Sequence, residues 1–120
     1  MPACTITITK LEPTLFRELH SERVKITYGP FAVPSEEQDN GMQGYKCIPP
    51  HPCSDCMILS MQAGLEYLDG TEAMPVNGMM LHHAVFESQH RPDPMCKDKR
   101  HERFFASGDE RTLIDLTFGG

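Results

Sequence analysis

The sequence predicts an all-β, antiparallel β-sandwich, and three observations carry that expectation. Ten prolines and nine glycines in 120 residues shorten the regular elements and multiply the turns. Several short runs alternate apolar and polar residues with a period of two, the pattern of strands with one buried face. Turn dipeptides, among them Asn40-Gly41, Asp69-Gly70 and Asn77-Gly78, separate those runs. A chain of this length fits one domain, read as residues 1–120, and buries roughly two-thirds of its unfolded surface. Residues 1–23 read as an N-terminal extension of that domain.

Residues 5–9 alternate strictly, with Ile6 and Ile8 on one face and threonines on the other, and form the first expected strand. In residues 13–20, Leu15 and Leu19 stand four apart, a spacing that suits two helical turns. Residues 24–28 and 31–33 read as strand pieces interrupted by Gly29-Pro30, and the acidic, amide-rich residues 35–44 read as an exposed loop. The most regular alternation lies in residues 57–67, where Met57, Leu59, Met61, Ala63 and Leu65 share a face. Residues 79–86 form a second long run, and the two are expected to pair as antiparallel neighbours. Residues 89–102, charged and holding Pro92 and Pro94, read as a long connection. Phe104-Phe105 then opens a short strand, Ser107-Gly108 turns, and residues 112–118 alternate with Ile114, Leu116 and Phe118 facing one way. Stopping at Gly119-Gly120 directly after a strand leaves a sheet edge unpaired, so the sandwich reads as a fragment, incomplete at its C-terminus.

A net charge of −6 argues against nucleic acid as a partner, because neutralising phosphates requires clustered Lys and Arg. The one basic cluster, Lys97, Lys99, Arg100, His101 and Arg103, is diluted by acids and reads as a solvated loop face, or as an anion contact. No apolar run approaches the roughly 20 residues needed to span a bilayer, so no membrane partner is expected. Residues 1–5 carry neither a basic n-region nor an apolar h-region, hence no secretory signal. Five cysteines nevertheless suit an oxidising compartment, which points to a secreted protein whose leader lies outside this sequence. The odd number leaves at least one thiol free or paired between chains.

Two constellations offer metal ligands. His82 and His83 are adjacent, and imidazole is the commonest protein ligand for copper and zinc. Neighbouring side chains on a regular strand point to opposite faces, so both reach one metal only where the backbone twists or bulges; otherwise one packs inside and the other faces water. The second constellation is Cys47, His51, Cys53 and Cys56. It could form a zinc module, but three prolines stiffen the short span that would wrap the ion, and disulfides are the simpler reading. One such bond, from Cys53 or Cys56 to Cys96, would close a loop of about 40 residues, although pairing is not deducible from sequence. The Cys53-Ser54-Asp55-Cys56 spacing also matches a thioredoxin-type redox motif, yet a strand rather than a helix is expected after Cys56. Met79 and Met80 could lend a thioether to copper or simply fill a core. Asp109, Glu110 and Asp115 read as solvated turn residues.

The segment Gly-Met-Met-Leu-His-His-Ala-Val-Phe, residues 78–86, resembles the paired-histidine strand of the copper type II, ascorbate-dependent monooxygenases, the peptidylglycine α-hydroxylating and dopamine β-monooxygenases. Taken with Cys53-Ser54-Asp55-Cys56, Gln62-Ala63-Gly64-Leu65-Glu66-Tyr67 and Arg103-Phe104-Phe105-Ala106-Ser107-Gly108, it is similar to a group of fungal proteins of unestablished function distantly akin to that family. The resemblance covers residues 29–116. It implies a jelly-roll-like domain in which His82 and His83 match two neighbouring ligands of the electron-transfer copper. The family's third histidine lies on a later strand and its catalytic copper in a second domain, and neither has a matching segment here. His51, His90 and His101 are the local candidates for a third ligand.

The resemblance therefore implies a copper-binding domain that does not turn over alone, with a small-molecule or peptide substrate and the oligomeric state left open. The competing expectation is a non-catalytic, disulfide-braced secreted β-sandwich with a structural or interaction role.

Overall fold

The computed structural model describes residues 4–117, apart from the side chain of Asp39. The expectations for residues 1–3, Phe118 and Gly119-Gly120 lie outside the described residues. The chain is all-β in character: six strands form three two-stranded antiparallel ladders, with one four-residue α-helix and two short 3₁₀ turns among the described residues. It divides into two compact units, Met1–Cys56 and Met57–Gly120.

In the first unit, β1 (Thr5–Leu11) pairs with β2 (Arg23–Gly29). Ile6 lies opposite Tyr28, Ile8 opposite Ile26 and Lys10 opposite Val24, so the apolar residues of both strands share one face, as the alternation predicts. A 3₁₀ turn at Arg17–Leu19 occupies the stretch expected to be helical. Residues 31–33 are not a strand. The ladder ends at Gly29, whose φ of +119° breaks the extended geometry, and Phe31 instead stacks on Tyr45 with ring centroids 4.1 Å apart. The Tyr45 hydroxyl donates to the Ala32 carbonyl at 2.7 Å and fixes that stack. Within the expected loop, α1 (Glu36–Asp39) is one turn long; the Gln38 side chain accepts from the Ser35 N–H at 3.3 Å, and Asn40 and Gly41 end it with positive φ.

Cys4 is bonded to Cys47 and Cys53 to Cys56, leaving Cys96 as a free thiol. Of the pairings left open by the sequence, a bridge from Cys53 or Cys56 to Cys96 is therefore not the one formed. Three of the four ligands of the zinc alternative are committed to disulfides and offer no thiolate.

The second unit holds β3 (Ser60–Met61), β4 (Ala84–Ser88), β5 (Glu102–Ser107) and β6 (Ile114–Asp115). The long strand expected over residues 57–67 shrinks to β3, and its partner is β6 rather than residues 79–86. Past Gln62 the chain finds different partners: Ala73 N–H bonds to Leu65 at 3.0 Å and Glu66 bridges Glu72, around the Asp69-Gly70 turn that the sequence marks. Residues 112–118 likewise reduce to β6 among the described residues. The partner of β4 is β5, with Phe86 opposite Phe105 and Glu87 opposite Arg103, so Phe104 is the extra residue of a bulge. Among the described residues, Ala73, Leu81 and Phe105 are the buried apolar ones, joined by the buried polar side chains Asp93, Ser107 and Arg111.

Candidate metal centre

His82 and His83 lie between two braces. On the N-terminal side, Asn77 organises the turn that precedes them: its Oδ1 accepts from the Met74 N–H at 2.6 Å and its Nδ2 donates to the Glu72 carbonyl at 2.9 Å. Met79 N–H returns to Met74 O at 3.0 Å, and Gly78 takes the left-handed conformation that lets the chain reverse, with φ +101°. On the C-terminal side, β4 starts at Ala84, so the two histidines precede the ladder.

That position removes the geometric objection to a shared ligand. Outside a regular strand, successive side chains need not alternate, and both imidazoles turn the same way: Nδ1 of His82 lies 2.5 Å from Nδ1 of His83. Their rings meet edge to face, with centroids 4.7 Å apart, and both residues are exposed. In the neutral pair one Nδ1 carries the proton and the other accepts it. With that proton moved to Nε2 of its own ring, both imidazoles stay neutral and two Nδ1 lone pairs converge on one point at the surface, a donor set that would suit copper. The pair thus fits a two-ligand half-site.

The turn after β5 closes on the same segment. Asp109 Oδ1 accepts the Leu81 N–H at 3.1 Å, and Arg111 Nη2 donates to that oxygen at 3.2 Å. Arg111 is only 6% exposed; it also donates to the Ala73 carbonyl and pairs with Glu72 at 3.4 Å. Gly108 passes so close that a Cβ there would stand 3.2 Å from the His82 carbonyl oxygen. Glu110 accepts the Gly108 N–H at 2.9 Å, and this bond holds its carboxyl below the usual carboxylate range.

Residues 89–101 make a connection, as expected, organised by Asp93. Its Oδ1 accepts from the Met95 and Cys96 N–H groups, each at 2.9 Å, and its Oδ2 from Arg103 Nε at 3.0 Å. The Cys96 N–H first, then the Arg103 guanidinium, pull the Asp93 carboxyl down to about 2. Within the basic cluster, Arg103 is thus engaged by Asp93, and it also reaches Cys96 Sγ at 3.1 Å.

Of the third-ligand candidates, His101 faces Glu87, with Nδ1 3.7 Å from Oε2, and His90 follows β4 in an exposed turn. His51 belongs to the first unit. Met80 is exposed, at 59%. Among the described residues, no three His, Cys, Asp or Glu side chains converge as a metal cage. Sequence reading missed Asp109 and Arg111 as supports of the histidine segment. The available signal was an acid and a base two residues apart, directly after the Ser107-Gly108 turn.

No protein-family model matches the chain, and no solved structure matches it. It is 44% identical over 110 residues to the probable copper-dependent oxygenase M1 of Phoma sp., a match covering 91% of this chain and 28% of that protein. It is 49% identical over 61 residues to the probable copper-dependent oxygenase clz3 of Cochliobolus lunatus, covering 50% of this chain and 20% of that one. The chain thus spans between a fifth and three-tenths of the length of these two relatives. At 44–49% identity over the matched stretches, the chain is related to two fungal proteins named probable copper-dependent oxygenases.

Proposed function

We propose that His82 and His83 are two ligands of a copper ion, and that this chain contributes the electron-transfer half of a copper-dependent oxygenase. The observation that carries the reading is the convergence of the two Nδ1 atoms, 2.5 Å apart on an exposed segment. The names of both relatives support copper as the metal. Bound copper supplies one-electron redox chemistry that imidazoles alone lack. The chain's own part is to present two neutral imidazoles, held by the Asn77 turn and the Asp109 carboxylate, where a soluble reductant such as ascorbate reaches them. With two ligands in this chain, the remaining ligands and the second copper come from elsewhere in a full-length oxygenase, and the chain alone does not turn over. Two disulfides support a secreted protein, and the −6 charge argues against nucleic acid as its partner.

Copper titration followed by calorimetry tests this. One equivalent is expected per chain, and the double variant His82→Ala/His83→Ala should lose it. Unchanged uptake by the double variant overturns the assignment. The two disulfides favour one further reading, a braced non-catalytic sandwich, which predicts no specific copper uptake by the unmodified chain.

A further inference from the structure

We infer that Asp109 is a positioning residue for the histidine pair, holding the His82 backbone where both imidazoles converge, with Arg111 as its anchor. This inference rests on the copper reading above.

The contacts form one relay. Arg111, buried and fixed to the Ala73 carbonyl, donates to Asp109 Oδ1 at 3.2 Å. The same oxygen accepts the N–H of Leu81, the residue before His82, at 3.1 Å. Leu81 is itself buried, so its N–H needs a partner within the protein, and the Asp109 carboxylate provides it. Gly108 lies against the next backbone group, the His82 carbonyl. These contacts bear on the main chain at Leu81 and His82, where β4 has not yet begun and no ladder bond determines the direction of either ring. Two imidazoles on adjacent residues converge only for a narrow range of backbone angles. The charge-assisted bond to Leu81 therefore selects the conformation in which one metal meets both.

Asp109→Ala removes the acceptor. Asp109→Asn keeps an oxygen for the Leu81 N–H while removing the charge. Copper affinity is expected to fall about tenfold in the alanine variant and to recover to within about threefold of the parent in the asparagine variant. The nitrogen spectrum of metal-free protein labelled at histidine gives a second readout. The parent should show one Nδ1 proton shared between the two rings, and Asp109→Ala should lose that signature while its far-UV circular dichroism stays unchanged. Should Asp109→Ala not fold, Asp109→Asn and Arg111→Lys carry the same comparison. Parent-like affinity and a parent-like nitrogen spectrum in Asp109→Ala overturn the positioning role, even where His82→Ala/His83→Ala abolishes binding. Copper uptake that survives the double histidine variant overturns the half-site itself, so the two failures are distinct.

Discussion

Replacing Arg111 by methionine should destabilise the second unit by about 3 kcal/mol, a figure built from the contacts that are lost. The thioether side chain fills most of the volume of the arginine stem and leaves the backbone, with its φ of +51°, unchanged. The Gln62 amide bond to the Arg111 carbonyl, 2.8 Å long, also survives because it is made to the main chain. What disappears is the guanidinium. The carbonyl of Ala73, a residue only 2% exposed, loses that donor, at a cost of about 1–3 kcal/mol. Asp109 is 30% exposed, so water partly replaces its lost partner and the cost there is about 1 kcal/mol. Glu72 is 68% exposed, and its ion pair contributes close to nothing. Arg111 Nε is buried without a partner among the described residues, and removing it returns a fraction of the loss. With a urea slope of about 1.5 kcal/mol/M, the unfolding midpoint should fall by about 2 M. Urea unfolding followed by tyrosine fluorescence or circular dichroism measures it, and Arg111→Lys, which keeps charge but not the fork, should recover about half. A midpoint shift below about 0.3 M for Arg111→Met would refute the stabilising role of the Arg111 guanidinium.

Three further outcomes follow from other parts of the molecule. Removing Cys4–Cys47, which spans 43 residues, should cost about 4 kcal/mol, and removing Cys53–Cys56, which spans 3, about 2 kcal/mol; paired serine variants in urea give both, and equal losses would contradict the loop argument. Asp93 has its carboxyl held at about 2 against 3.8, so its contribution is present above pH 3.8 and disappears as pH falls toward 2. Acid unfolding of Asp93→Asn should therefore show a shallower loss over that window, and an identical acid limb would count against the role of Asp93. Gly108→Ala would push on the His82 carbonyl and displace the Glu110 carboxylate, which a Cβ would approach at 2.8 Å. It should cost about 1 kcal/mol in thermal unfolding and weaken copper binding, whereas wild-type values in both would deny the close approach.

The strands β1 and β2 were legible because residues of both alternate; their pairing, in which the apolar residues fall opposite one another, was not read from the sequence. The stretch 57–67 alternates at least as well, yet only Ser60 and Met61 enter a ladder. Period two reports that a segment can be a strand; a ladder also needs a partner, and the partners on offer were residues 72–73 and 114–115 rather than the histidine run. Disulfide pairing was illegible for a related reason, since five cysteines define spacings and not proximities. At the histidines, residue type pointed to the metal chemistry, while the period-two rule pointed against a shared ligand. The rule does not apply there because both histidines precede the ladder, which starts at Ala84. Asp109 reads as a solvated turn acid in isolation, and its role depends on a buried arginine whose burial no local pattern announces.

In the proposed half-site one copper ion takes both His82 and His83. Pulsed electron paramagnetic resonance of Cu(II) added to the protein counts coordinated imidazoles through modulation by their remote nitrogens. Two are expected in the wild type, one fewer in His82→Ala and in His83→Ala, and neither in the double variant. A modulation pattern unchanged across all four proteins would show that copper does not bind at this histidine pair.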